Sequence, residues 1–188
     1  MLVHEKITEE QFLAQIKHAP LIMKALKQAN QSHKNHSRSN KQPYLTEHIY
    51  PVAIMTANYY GDSVTDEVIA AALLHDVLED DPEMNDDKFR SLFGDKVYTT
   101  VKVLTKPDGE DWRAINKKYF KQLGNGSRDA KIIKVMDRID NLYWAHTFGE
   151  KLIEQYIDET ENFYLKLAQE VDSELYKEMK KLLEKLKK

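Results

Sequence analysis

Apolar residues in this chain recur every three or four positions in one segment after another, and no stretch sustains the two-residue alternation of a half-buried strand. Phe12 and Ile16, then Leu21, Ile22 and Leu26, then Ile132, Ile133, Met136 and Ile139 all fall on helical faces. Only 6 glycines and 5 prolines punctuate 188 residues. A chain of this kind closes its core by packing helices on helices, so the expected class is all-α, compact, with about 8–10 helices. Its length suits one domain over residues 1–188, with no linker and no repeat of fixed period.

Local signals set the expected boundaries. Thr8-Glu9-Glu10-Gln11 reads as a capping box, and Pro20 separates two short helices. Residues 32–46 are polar and read as a loop. His48–Tyr60 is predicted helical with Pro51 in its first turn, and Gly61-Asp62 ends it. Thr65–Glu79 is predicted as one helix. Asn85 caps a helix through Leu104 that contains Gly94, either inside it or at a kink. Asp111–Leu123 and Arg128–His146 follow, and two helical stretches run from Gly149 to the end. Residues 172–188 form an amphipathic helix that packs on the domain or on a partner subunit, so a homodimer is allowed.

Charge and composition narrow the function classes. Net charge is −3, which argues against bulk electrostatic binding to nucleic acid but leaves room for a local basic pocket. Cysteine is absent, which removes disulfides and thiolate chemistry. Met1–Lys17 has no continuous apolar run of the signal-peptide kind, and no apolar run reaches the ~18–20 residues of a membrane span. The expected setting is cytoplasmic, with no membrane partner.

Residues 70–81, AAALLHDVLEDD, carry the chemistry. After Leu74 come His75, Asp76, Glu79, Asp80 and Asp81. On a continuous helix His75 lies beside Glu79 and Asp76 beside Asp80. Carboxylates gathered at the negative end of a helix dipole repel one another unless a cation sits among them. A bound divalent metal resolves this; a solvated acidic helix end is the bland alternative. One helix cannot encircle an ion, so the metal reading needs His or Asp from elsewhere. His48 opens a predicted helix, and Asp137 lies inside the apolar run IIKVMDRIDNL. An acid there is costly unless metal-bound or paired, for instance with Lys134 or with a basic residue on another helix.

The set His48, His75-Asp76 and Asp137 resembles the H…HD…D signature of the HD-domain phosphohydrolases. Glu79-Asp80, Phe93-Gly94 and Thr105-Lys106 extend the likeness to the hydrolase domain of the RelA/SpoT alarmone enzymes, across about residues 20–168. The chain is too short for the synthetase and regulatory domains of the long enzymes, so it resembles the stand-alone small alarmone hydrolases. There are departures. SRSNKQPYLTEHIYP has one extra residue between Tyr44 and His48, and Ile49 replaces a proline. Ser39 stands where a second basic residue is usual, with Lys41 as a substitute in space. Asp140 occupies a position often held by His.

The resemblance implies an HD-domain fold and a divalent metal, Mn²⁺, held by His48, His75, Asp76 and Asp137. Glu79 and Asp80 become the water-activating pair, two adjacent carboxylates that raise each other's pKa. Arg38 is the expected phosphate clamp, and Asn141 and Tyr156 the expected contacts on the ribose or base side. Lys134 is read as a surface lysine in preference to a phosphate contact. Asp81 has no assigned role, and neither do His4, His18 and His146. His33 and His36 are read as surface histidines. Gly124-Asn125-Gly126-Ser127 lacks the following Gly-Lys-Ser/Thr of a phosphate loop and is read as a turn. The implied reaction removes the 3′-pyrophosphate of guanosine tetra- or pentaphosphate (ppGpp or pppGpp). Two alternatives stand beside it. One is an HD phosphohydrolase for another phosphorylated nucleotide, a dinucleotide 2′-phosphate or a nucleoside 5′-phosphate. The other is a catalytically weak nucleotide sensor, against which the intact Glu79-Asp80 pair speaks.

Overall fold

The computed structural model describes residues 8–109 and 111–188. His4 and the first part of Met1–Lys17 lie outside the described residues, as does the Trp112 side chain. Among the described residues there is no strand, only an isolated bridge between Ser37 and Pro43. The helices are α1 (Glu9–Gln15), α2 (Pro20–His33), α3 (Tyr50–Tyr60), α4 (Asp66–Leu73), α5 (Val77–Asp80), α6 (Asp86–Leu104), α7 (Trp112–Gly124), α8 (Arg128–Trp144), α9 (Glu150–Glu159), α10 (Leu165–Val171) and α11 (Ser173–Leu186). The all-α expectation holds. No helix of the described residues is long and apolar enough to cross a membrane.

Most predicted ends fall where local chemistry puts them. Thr8 and Gln11 form the reciprocal capping box, with Gln11 N–H donating to Thr8 Oγ1 at 3.2 Å and Thr8 N–H to Gln11 Oε1 at 2.9 Å. Pro20 stands in the first turn of α2, and Asn85 caps α6. Gly94 breaks the regular run of α6 at φ 81°, ψ 166°, a conformation essentially reserved for glycine.

Two expectations need correction. The predicted helix from His48 begins earlier, as a π-helical turn Leu45–Ile49 that runs straight into α3. Proline explains the widening. In an α-helix the Pro51 ring would clash with the carbonyl of Glu47 and leave it without a donor. Here that carbonyl accepts from Arg38 Nη1 at 3.0 Å. The second correction concerns Thr65–Glu79, which is not one helix. α4 stops at Leu73, Leu74 and Asp76 adopt φ near −105° with ψ near zero, and α5 restarts for one turn. His75 Nδ1–H donates to the carbonyl of Ala72 at 2.8 Å, so the side chain satisfies a helix-end acceptor that a continuing backbone would have used.

α8 is the axis of the molecule. It packs against α3, α6, α7, α10 and α11, and its residues are buried on nearly every side. Ile132, Ile133, Met136 and Ile139 are fully buried, worth about 1.5–3 kcal/mol each relative to exposure. The alanines of α4 (Ala70, Ala71, Ala72) and of α2 (Ala25, Ala29) are fully buried, which lets these helices lie close together. α11 lays Leu175, Met179, Leu182 and Leu183 on this same chain, against α8 and α10. Asp81, unassigned from sequence, ties the end of α5 to α2 by accepting from Ser32 Oγ at 2.5 Å.

Candidate metal centre and cleft

Three elements aim four side chains at one point. His48 comes from the π-helical turn, His75 and Asp76 from the break between α4 and α5, and Asp137 from the middle of α8. His48 Nε2 lies 3.3 Å from His75 Nε2, 3.3 Å from Asp137 Oδ1 and 3.6 Å from Asp76 Oδ2; Asp76 Oδ2 lies 3.1 Å from His75 Nε2. His48, His75 and Asp137 are buried, with donor atoms within 4.8 Å of one another. Such gaps suit donors around a single first-row ion, where bonds of about 2.0–2.2 Å place neighbouring ligands roughly 3 Å apart.

The ring nitrogens are oriented for ligation. His48 Nδ1 faces Asp140 Oδ2 at 2.7 Å and His75 Nδ1 faces the Ala72 carbonyl, so Nε2 is the nitrogen that each ring turns inward, the one that would lose its proton to hold an ion. A carboxylate or carbonyl behind the imidazole is the usual support of a histidine ligand. Asp140 is fully buried and also accepts from Arg38 Nη1 at 2.8 Å. The donor set of two imidazoles and two carboxylates fits a divalent first-row ion.

Burial and the Arg38 charge push His48 down, but hydrogen bonds to Asp137, Asp140 and Asp76 outweigh them and raise it to about 10. Burial would raise Asp76 and Asp137. Asp76 is held low instead by His75 and His48, and Asp137 by Lys134 and His48. Tyr44 O–H donates to Asp76 Oδ2 at 2.6 Å, and burial with that carboxylate drives its phenol well up. Glu79 and Asp80 are both raised, first by burial and then by Asp76.

This last pair points two ways, as neighbours on a helical turn do. Glu79 faces the cleft, with Oε1 accepting the backbone N–H of Lys106 at 2.7 Å. Asp80 turns toward His33 and His36, its Oδ2 lying 3.6 and 3.8 Å from their Nδ1 atoms. The shared sector expected for a continuous helix is therefore absent. His33 is fully buried rather than a surface histidine.

Beside the metal centre opens a cleft of about 420 Å³. Arg38, Lys106, Lys134 and Arg138 line it against Asp76, Glu79, Asp137 and Glu159. Lys134, expected at the surface, is largely buried and pairs with Asp137 Oδ2 at 2.6 Å. The lysine pairing read for Asp137 is present, with Oδ2 on the lysine, while Oδ1 faces His48. Arg38 is mostly engaged, donating to Asp140, the Glu47 carbonyl and Asn141 Oδ1 at 2.7 Å. Asn141 in turn donates to Asp137. Tyr156 borders the cleft with its ring over the Arg138 guanidinium, 4.3 Å away. Arg138 Nη2 donates to Glu159 Oε2 at 2.8 Å.

Sequence reasoning missed Asp140 as a support for His48, and it missed Tyr44, Lys106 and the Arg138–Glu159 pair. Asp140 carried a signal, as a second acid three residues after Asp137 in the same apolar run, and Lys106 stood in the Thr105-Lys106 motif without a role.

A family model described as HD domain matches residues 25–173. A guanosine-3′,5′-bis(diphosphate) 3′-pyrophosphohydrolase of Aquifex aeolicus is 30% identical over 154 residues, 80% of this chain and 21% of that protein. An enzyme of the same name from Drosophila melanogaster is 32% identical over 64% of this chain and 66% of its own length. The chain spans about a fifth of the length of the long bacterial relatives. A solved metazoan orthologue of SpoT, described as hydrolysing ppGpp, superposes with a TM-score of 0.78 at 20% identity, covering 90% of this chain and 97% of that one. At that identity the likeness speaks for the fold.

Proposed function

The chain belongs to the HD-domain family, and from that premise we propose that it is a divalent-metal-dependent hydrolase that removes the 3′-pyrophosphate from ppGpp and pppGpp. The observation that carries this reading is the convergence of His48, His75, Asp76 and Asp137 at the edge of a cleft lined by four cationic side chains, in a chain whose net charge is −3. The names of the relatives supply the substrate.

The proposed ion is Mn²⁺, held by those four residues. A bound divalent ion lowers the pKa of water and offsets phosphate charge. The rest falls to the chain. Glu79 takes the proton of the attacking water at Oε2, because Oε1 is occupied by the Lys106 N–H. Its raised pKa brings it nearer the range in which a carboxylate can both accept and return a proton. Asp80 has its carboxylate toward His33 and His36, so its part is to hold α5 in place beside Glu79. Lys106, Lys134 and Arg38, all lining the cleft, are the proposed contacts for phosphate oxygens. Asn141 and Tyr156 line the same cleft and are the proposed contacts on the ribose or base side.

The test is incubation of the purified protein and Mn²⁺ with a panel of phosphorylated nucleotides, reading pyrophosphate against orthophosphate. Pyrophosphate from the tetraphosphate is expected; orthophosphate alone, from other substrates, overturns the assignment. Glu79→Gln should slow turnover roughly 10²–10⁴-fold and leave metal content unchanged. An unchanged rate removes Glu79 from the mechanism. A second reading, hydrolysis of a dinucleotide 2′-phosphate or a nucleoside 5′-phosphate, is favoured by the engagement of Arg38 with Asp140 and Asn141 and by Ser39 in place of a second base. The same panel separates the two.

A further inference from the structure

A second cluster of metal-binding donors lies on the far side of Tyr44 from the centre described above. His33 closes α2, His36 follows one turn later, and Asp80 ends α5. Their facing atoms form a small triangle. His33 Nδ1 and His36 Nδ1 are 3.1 Å apart, and Asp80 Oδ2 lies 3.6 Å from the first and 3.8 Å from the second. All three atoms fall within 4.8 Å of one another. The Tyr44 ring stands between the clusters, 5.4 Å from the His33 ring and 4.9 Å from the His48 ring, centre to centre.

We propose that His33, His36 and Asp80 form a second divalent-cation site, distinct from the one built on His48, His75, Asp76 and Asp137. Ligand atoms around a tetrahedral ion with bonds of about 2.0–2.2 Å stand roughly 3.3–3.6 Å apart, within a few tenths of an ångström of the 3.1, 3.6 and 3.8 Å edges of this triangle. The carboxylate is beyond hydrogen-bond reach of both rings, so its position between them is not accounted for by hydrogen bonding. The donors are held in place. His36 N–H donates to the His33 carbonyl, and Tyr44 N–H donates to the His36 carbonyl, each at 3.0 Å. Ser32 anchors the end of α5 through Asp81. His33 is fully buried with Nε2 unpartnered, and burial lowers its pKa to about 4, which keeps a neutral ring for ligation. The His36 and Asp80 side chains are 38% and 39% exposed, which leaves an open path and room for water to complete the shell. Two imidazoles and one carboxylate favour the later first-row ions, Zn²⁺, Ni²⁺ or Co²⁺, over Mg²⁺ or Ca²⁺. An ion bound here clamps the end of α2 to α5 and fixes Asp80 as a carboxylate, one residue from Glu79.

The experiment counts ions on the full chain. Metal-stripped protein is titrated with Zn²⁺ against a chromophoric chelator, and retained metal is measured after gel filtration. Wild type is expected to hold about two ions per chain and His36→Gln about one, with the tighter site unchanged. Asp80→Asn, a second variant at a partly exposed side chain, is expected to lose the same ion. His75→Asn should instead lose the ion of the first centre and keep this one. A wild type that holds one ion overturns the proposal, as does a folded His36→Gln or Asp80→Asn that still holds both. The outcome is independent of the substrate assignment, since no turnover is read.

Discussion

Asp140 shows how much of a metal centre lies behind its ligands. It is fully buried, accepts from His48 Nδ1 and from Arg38, and so fixes which nitrogen of His48 faces the centre. Asp140→Asn should weaken Mn²⁺ binding about 10–100-fold by calorimetry, the usual effect of losing such a support. Unchanged affinity would show that the tautomer is set by something else. The proposed ligands were legible because residue type and spacing suffice to nominate them. The supports were not, because Asp140, Tyr44 and Lys106 act through distances that no local pattern encodes. Lys134 illustrates the limit. A lysine three residues from an acid reads equally as a surface pair or a buried one, and only the packing of α8 between α3 and α6 decides.

At the scale of elements, periodicity set the helices and side-chain chemistry set their breaks. The run from residue 70 to 81 looks like unbroken helix because its apolar spacing is helical. It breaks because the His75 imidazole takes the Ala72 carbonyl. The π-helical turn before α3 follows from Pro51 in the same indirect way, with Arg38 supplying the donor that proline lacks. Gly94 was read correctly as a candidate kink. Its φ of 81° makes Gly94→Ala costly even though nothing lies within 4 Å of the added carbon. Denaturant unfolding should show a loss of about 1–3 kcal/mol. A loss below a few tenths would mean that the kink relaxes into regular helix.

Across the described residues, much of the buried charge is held in pairs: Arg38 with Asp140, Lys134 with Asp137 and Arg138 with Glu159. Burial pushes the Glu159 carboxyl up, but Arg138 outweighs it and holds it below its ordinary value. A carboxylate depressed in the folded state stabilises above the unfolded pKa of about 4.3 and loses that contribution as pH falls through the folded value. Glu159→Gln strands Arg138 between Tyr156 and Tyr164, so thermal or chemical unfolding at neutral pH should show a loss of about 3–5 kcal/mol. The gap from wild type should narrow as pH drops below the carboxylate range; a constant gap would point to packing. Mn²⁺ at a hundred times its dissociation constant should add about 2.7 kcal/mol, read as a rise in Tm that a chelator reverses.

The donors of the metal centre are spread from His48 to Asp137, and α8 brings the last of them. During synthesis a nascent chain offers only His48, His75 and Asp76 until the ribosome has released the segment around Asp137. The complete set of four donors is therefore assembled only when α8 docks beside α3 and α4, so an ion held by all four would be a clasp on the finished bundle and not a seed for its early helices.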